Sequence, residues 1–456
     1  MSRKVHVVGV GGAGMSAIAR VLMERGEQVS GSDLTVTEFS EALAELGVPI
    51  TFGHRAEAVT DADLVLVSSA VPDSNVELRA ARSNGIPILR RPAFLSELVE
   101  GYRTVAIGGT HGKTTTTAMI AWILDRAGRQ PSFIIGGIPK DFGTNSRHGS
   151  GVDFVIEADE YGRAFLGLHP AIAVITNVEH DHPDDFPTFE TYKAAFATFV
   201  SGVQETLIIN ADDPVAISLP SQDLERITFG LGKTADWRAV DIRSNDAGGL
   251  DFVAVRGEKT TGLVRLRTPG EHNVRNALGA LAATHTLKVD FATARAALAD
   301  FHGVARRFEI LGERNGVTLI DDYAHHPSEI RATLAAARQR FDEADIWAVF
   351  QPHTYSRTAA LFDELAESFG DADHVIVTDI YPAREEPIPG VSASELAKVI
   401  GGPDVRYIPE IEEAAKLLLT KVKPKSVVLT LSAGDANRVV RLVYEGLSEG
   451  QGGSHA

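Results

Sequence analysis

The sequence predicts an α/β protein of three consecutive domains, and three observations lead there. Short β-branched runs alternate with helical patterns almost from end to end, the signature of parallel βαβ units. Two of the strand-to-helix junctions are rich in glycine. The length, 456 residues, suits roughly three domains of about 150 residues each.

The first domain, residues 1–102, opens with a strand at Val5–Val8, the loop Gly9-Val10-Gly11-Gly12-Ala13-Gly14 and a helix to about Arg25. A second strand ends near Asp33, and Leu64–Val67 ends in Ser68-Ser69-Ala70, so this unit reads as Rossmann-like. The central domain, residues 103–303, has strand Thr104–Ile107, a second glycine-rich loop and a helix from Thr114. Its further buried strands are Phe154–Ile156, Ile172–Ile175 and Leu207–Ile209, which predict a parallel sheet. The more polar stretch from Ile227 to Arg267 predicts a small antiparallel patch, followed by a helix near Asn273. The third domain, residues 304–449, alternates strands Val317–Ile320, Trp347–Phe350, Val375–Val377 and Val427–Leu431 with helices, again Rossmann-like. Residues 450–456 read as a flexible tail.

Composition removes whole classes of function. With 44% hydrophobic and 23% charged residues the chain has the profile of a soluble globular protein. A formal net charge of −17 argues against non-specific nucleic-acid binding, which needs a surplus of Lys and Arg. The absence of cysteine rules out disulfides, thiolate metal sites and cysteine nucleophiles. The short apolar run after Met1-Ser2-Arg3-Lys4 falls short of a signal-peptide core, and no stretch approaches the roughly 18 apolar residues of a membrane span. A cytoplasmic enzyme without membrane insertion is the expectation.

The central loop, Gly108-Gly109-Thr110-His111-Gly112-Lys113-Thr114-Thr115, has the strand–loop–helix context of a phosphate loop. Backbone N–H groups there converge on phosphate oxygens, Lys113 adds a point charge, and Thr114 places a hydroxyl where the metal of a metal–ATP complex lies. Ile107 occupies the first glycine position of the usual pattern, so this is a variant loop, and the central unit is expected to be an ATPase domain. Thr114–Thr117 are poor helix formers, which points to hydroxyl chemistry in the first turn. In the first domain Gly9, Gly11 and Gly14, with Asp33 nineteen residues on, fit the dinucleotide fingerprint. Alone that would favour a nicotinamide or flavin enzyme, but its physics specifies only a pyrophosphate and a hydrogen-bonding partner for Asp33, which a UDP-sugar also satisfies.

Glu157-Ala158-Asp159-Glu160 and Asn177-Val178-Glu179-His180-Asp181-His182 end two further strands of the central domain. Carboxylate and imidazole beside a phosphate loop suit a hard cation that also binds phosphate. The third domain adds Asp321-Asp322-Tyr323-Ala324-His325-His326-Pro327 and Gln351-Pro352-His353-Thr354-Tyr355-Ser356-Arg357, each after a strand. Pro327 suits a first helical turn, so the histidines face the crevice at its entrance. Arg306-Arg307 offer a phosphate clamp between domains. A non-catalytic nucleotide-binding regulator would leave this ligand cluster inert.

Ten stretches together resemble the Mur ligases of bacterial cell-wall synthesis, over essentially the whole chain and in that family's order. They are GVGGAGMS, SSAVP, GGTHGKTTTT, EADE, TNVEHDH, GEHNVRNALGA, RRFE, DDYAHHPSEI, FQPHTYSRT and PIPGVS. The resemblance implies an N-terminal UDP-substrate domain, a central ATPase and a C-terminal domain that closes over ATP and the amino acid. It implies an ATP-dependent acid–amino acid ligase working through an acyl phosphate, with Mg²⁺ or Mn²⁺ as the metal. Within the family FQPHTYSRT and PIPGVS resemble the branch that adds L-alanine to the lactyl carboxylate of UDP-N-acetylmuramate. Tyr161-Gly162-Arg163 is similar instead to the recycling branch, which joins a whole tripeptide to the same UDP-sugar. The distant alternative, an NAD-dependent oxidoreductase, rests on Gly9–Gly14 and Asp33 alone.

Carried over residue by residue, the resemblance implies that Gly109, Thr110, His111, Gly112, Lys113, Thr114 and Thr115 hold the triphosphate. Thr114, Glu157 and His182 hold the metal, with Lys113, Glu157 and His182 as the catalytic centre. His272, Asn273 and Asn276 lie on the adenine side, and Arg307 and Asp322 are the C-terminal domain's contribution to ATP. Gly9, Gly11, Gly12, Gly14, Asp33, Ser68 and Ser69 form the UDP site; Tyr323, His325, His353 and Arg357 hold L-alanine and the substrate carboxylate. A monomer or homodimer without nucleic-acid partners is implied.

Overall fold

Each strongly apolar run becomes a strand buried on both faces, and these strands gather into three separate sheets. The computed structural model describes residues 2–221 and 224–449; the expected tail at 450–456 lies outside them. The first sheet is wholly parallel, in the order Ile50–Phe52, Gln28–Asp33, Lys4–Val8, Leu64–Val67, Ile88–Arg90. Val5, Val7 and Val8 at its centre are fully buried, so the run shows no polar alternation.

The second sheet has ten strands. Its parallel centre runs Thr206–Asn210, Ile172–Ile175, Arg103–Gly108, Asp153–Glu157, Ser132–Ile134. The antiparallel patch is smaller than expected. Glu225–Gly230 pairs parallel with Thr206–Asn210, and Trp237–Ser244 joins it in parallel through Phe229 and Gly230. Only Trp237–Ser244, Leu250–Arg256 and Lys259–Arg265 form an antiparallel meander. The connection after Asn210 returns the chain to the same end of the sheet, so the next strand must run parallel. Within the expected patch only its residues Phe229 and Gly230 are buried, so it lacked the long apolar run that marks a central parallel strand.

The third sheet runs Glu309–Arg314, Val317–Asp322, Ser426–Leu431, Asp345–Phe350, His374–Val377, Asp404–Tyr407, with only the first strand antiparallel. Ligands of open α/β sheets bind beyond the carboxyl ends of the strands. Here those ends carry Gly9, Gly109, Glu157, Asn177 and Tyr323. Among the described residues no helix is long and apolar enough to cross a membrane.

Behind the central strands the segment Tyr161–Gly167 is tied down by one ring. Phe165 is fully buried, stacks on Phe199 at 5.1 Å and meets Phe196 edge-on at 5.2 Å. Replacing it with alanine should destabilise the protein by about 3–5 kcal/mol through the cavity left, read as an earlier urea midpoint. An unchanged midpoint would mean that this cluster does not anchor the segment.

Candidate active site

The phosphate loop is forced into shape by close backbone approach. Gly109 has φ +133°, and a Cβ there would lie 2.0 Å from Thr176 Oγ1. Gly112 has φ +81°, and a Cβ would lie 2.5 Å from Asn276 Oδ1. Asn177 fixes the turn from the next strand: its Oδ1 accepts from the His111 N–H at 2.8 Å and its Nδ2 donates to the His111 carbonyl at 3.1 Å. The helix Lys113–Arg126 then starts with its first N–H groups facing the loop. Of the threonines, Thr117 Oγ1 bonds back to the Lys113 carbonyl at 2.8 Å, serving the helix, whereas Thr114 and Thr115 face the cavity described below.

Lys113 folds back over its own loop. Its ammonium donates to the carbonyls of Gly109 and Thr110 and to Glu160 at 2.9 Å. Burial opposes the charge, but Glu160 and then Asp159 outweigh it and hold the amine above its ordinary value. Glu160, itself 1% exposed, also accepts from the Tyr192 hydroxyl at 3.1 Å.

Thr114 Oγ1 lies 3.2 Å from Glu157 Oε2, and the other Glu157 oxygen accepts from the Gly136 N–H. Burial pushes the Glu157 carboxyl up. His182 stands apart from this pair: its Nε2 is 3.6 Å from Asp181 and 3.9 Å from Glu160, and its ring packs on Tyr161 at 5.1 Å. The metal-ligating residues expected from the sequence thus fall into a close pair plus an imidazole on the Lys113 side. Among the described residues, His111, Glu179 and His326 have ligand-type atoms within 4.8 Å of one another. There the contacts are ionic hydrogen bonds, His111 Nε2 to Glu179 at 2.9 Å and His111 Nδ1 to Glu329 at 3.2 Å.

A cavity of 280 Å³ opens between the central and third domains. It is lined by His111, Gly112, Thr114, Thr115, His272, Asn273, Asn276, Arg307 and Asp322, all expected on the nucleotide. Gly109, Thr110 and Lys113 stay behind its wall. Asn177, Phe229, Thr268 and Glu329 line it too and carried no such expectation; Glu329 was visible only as the acidic third residue of a helix start. Asp322 reaches about 6 through burial, against the pull of Arg307. His272 falls to about 4 through burial and the nearby Arg275 and Arg307. Of the two arginines offered as a clamp, only Arg307 faces this space. Arg306 turns away, donating to the Ser432 and Gly434 carbonyls at 2.7 and 3.2 Å.

The structure brings the four residues expected on L-alanine into a chain of rings. Tyr323 and His325 meet at 5.5 Å, His325 and His353 at 5.7 Å, and Arg357 Nη1 lies 3.0 Å from His353 Nδ1. Arg357 also donates to Asp181 at 2.8 Å, a buried pair across the domain junction. Burial lowers His325 to about 3, and burial with Arg357 lowers His353 to about 4, so both imidazoles are neutral at pH 7.

In the first domain Asp33 binds its own glycine loop, accepting from Gly11 N at 2.7 Å and Leu34 N at 2.7 Å. Its oxygens therefore shape the turn. Gly12 caps the helix Ala13–Glu24 without a side-chain bond, leaving the N–H groups of that turn toward the crevice. Ser68 crowds Gly9, and Ser69 lies close to Gly162 of the central domain. Arg91, packed over Gly14, bonds Asp159 at 2.9 Å, which ties the first-domain glycine loop to the Glu157–Glu160 stretch of the central domain.

Three family models match in series: the Mur ligase family catalytic domain over residues 4–103, the Mur ligase middle domain over 107–284, and the Mur ligase glutamate ligase domain over 306–434. The UDP-N-acetylmuramate–L-alanine ligase of Roseiflexus castenholzii is 44% identical, covering 97% of both chains. That of Geobacter sulfurreducens is 44% identical over 95% of both. Among solved structures, the UDP-N-acetylmuramate-alanine ligase of Thermotoga maritima superposes with TM-score 0.83 at 31% identity, covering 98% of this chain and 99% of that one. A murein peptide ligase of Psychrobacter arcticus gives 0.72 at 28% identity, covering the whole of both.

His111 provides a pH test of the domain junction. Burial opposes its charge, but Glu329 and Glu179 raise it from 6.5 to about 9. A raised folded-state value gives stability that is full below pH 6.5 and disappears as pH rises through about 9. Thermal midpoints should therefore fall between pH 7 and pH 9.5 in the parent protein more steeply than in His111→Asn. Parallel profiles for the two would remove the charged imidazole from the account.

Proposed function

This chain belongs to the Mur ligase family, and we propose that it joins L-alanine to the lactyl carboxylate of UDP-N-acetylmuramate, cleaving ATP to ADP and phosphate. The carrying observation is that relatives 44% identical over nearly the whole chain bear that name. The cavity wall supports it, with loop N–H groups, Arg307 and two asparagines around a space suited to a nucleotide. ATP and UDP-sugars place the reaction in the cytoplasm, with the enzyme a monomer or homodimer.

In this reading the substrate carboxylate attacks the γ-phosphorus and ADP leaves. The amine of L-alanine then attacks the acyl carbon, and the tetrahedral adduct collapses with loss of phosphate and a proton. The protein's work is positioning and charge. Lys113 exchanges its loop carbonyls for phosphate oxygens while Glu160 keeps its amine in place. His325 donates through Nδ1 to the Tyr323 carbonyl at 2.9 Å, which leaves Nε2 free to accept from an amine N–H. Arg357 offers a guanidinium for a carboxylate.

Thr114 and Glu157, whose oxygens lie 3.2 Å apart, are hard oxygen donors and would hold Mg²⁺. With His182 as the third proposed ligand, the ion would supply charge neutralisation on the β- and γ-phosphates. Tyr161-Gly162-Arg163 favours a second reading, in which the incoming amine is a tripeptide.

Purified protein with ATP, Mg²⁺ and UDP-N-acetylmuramate should release phosphate only when L-alanine is added. Release with L-Ala-γ-D-Glu-meso-diaminopimelate and none with L-alanine would instead establish the tripeptide reading. Lys113→Ala should lose turnover while still unfolding in one cooperative transition, at a lower thermal midpoint because the buried Glu160 loses its partner; near-normal kcat would remove Lys113 from the chemistry.

A further inference from the structure

Glu329 does two jobs with one carboxylate. It is the third residue of helix Pro327–Arg340, and its Oε2 closes the capping box, accepting from His325 N at 3.2 Å and His326 N at 3.4 Å. A helix cap requires nothing more, and most caps lie in solvent. This carboxylate is 13% exposed, and its Oε1 points out of its own domain. That oxygen meets His111 Nδ1 of the phosphate loop at 3.2 Å and Arg307 Nη1 at 3.7 Å.

The other side of the same imidazole is held from the central domain. His111 Nε2 lies 2.9 Å from Glu179, and Glu179 accepts in turn from the Ser328 hydroxyl, on the same helix as Glu329, at 2.7 Å. His111 thus stands between two carboxylates, one from each domain, with both ring nitrogens donating. Its backbone is pinned by Asn177 and by the Thr176 hydroxyl at 2.6 Å. The loop is therefore fixed through its backbone by its own sheet and through one side chain by the neighbouring domain.

We propose that Glu329 is a positioning residue for ATP: docked on His111 across the domain junction, it holds that side chain of the phosphate loop and aims Arg307 into the nucleotide cavity. The ATP reading above is its premise; the identity of the amine is not. Without this carboxylate the helix keeps its cap through a glutamine, His111 keeps one of two partners, and Arg307 loses the anion that orients it. Loss of a hydrogen bond to a charged group is worth about ten-fold or more in affinity.

The test is direct ATP-analogue binding and steady-state kinetics on Glu329→Gln, His111→Asn and the double variant. Glu329→Gln should still unfold in one cooperative transition, since glutamine closes the capping box, with a midpoint at pH 6 below the parent's because the charged His111 loses one carboxylate. It should lose about ten-fold or more in affinity for the analogue, with KM for ATP rising in step. The double variant should be no weaker than the weaker single variant, because both remove one contact. Unchanged binding in Glu329→Gln would reduce Glu329 to a helix cap. Losses that multiply in the double variant would separate it from His111, overturning the proposal. If Glu329→Gln unfolds, His111→Asn, which removes the docking partner and leaves the helix cap in place, becomes the deciding variant, and unchanged binding there overturns the proposal. Failure of the parent protein to bind the analogue would strike the ATP reading itself and is recognisable as such.

Discussion

The turn between Gly108 and Lys113 constrains everything around it. Four residues must carry the chain from a buried strand into a helix while passing within contact distance of two other elements. A side chain at Gly109 would overlap Thr176, and one at Gly112 would overlap Asn276. The residues that follow strand Ile172–Ile175 and the helix Glu271–Thr286 are therefore packed against bare backbone, and only glycine permits that approach. Because the backbone lies so close, Asn177 can reach both polar groups of His111, and Asn276 comes to the wall of the nucleotide cavity.

From that turn the charges follow in order. Lys113 is buried and must be neutralised, and Glu160 does this from the next strand's end. Glu160 is buried in turn and leans on Tyr192. His182, beside Asp181 and Glu160, joins the same group, and Asp181 holds Arg357 of the third domain. A buried charge left alone is expensive, so each partner has recruited another until the network spans two domains. The neutral imidazoles of His325 and His353 lie at its far end, where burial outweighs the nearby carboxylates.

Much of this was legible in the chain. Strands such as Val5–Val8 and Val427–Leu431 announce themselves by β-branched runs, and a strand–glycine–Lys113–helix order has few other uses. Nine of the residues expected on the nucleotide do line one cavity. The local pattern failed where partners come from another domain. Glu329 reads as a helix start because its second oxygen's role depends on how the third domain packs on His111. Arg306 and Arg307 are adjacent and chemically identical, and only the fold decides that one meets carbonyls while the other meets the cavity. Asp33 looked like a ligand contact, yet it also ties the Gly11 turn. Ile227–Gly230 was read into the antiparallel patch because so short a stretch looks alike in parallel and antiparallel pairing.

The resting position of Lys113 has a kinetic and calorimetric consequence. Its ammonium already fills the space between Gly109, Thr110 and Glu160, so the loop is held in its final shape before any nucleotide arrives. Capture of the triphosphate is then an exchange of acceptors around a fixed donor, with no segment to order and little fresh apolar surface to cover at that end. Such an encounter carries a small heat-capacity change and an on-rate set by diffusion and field.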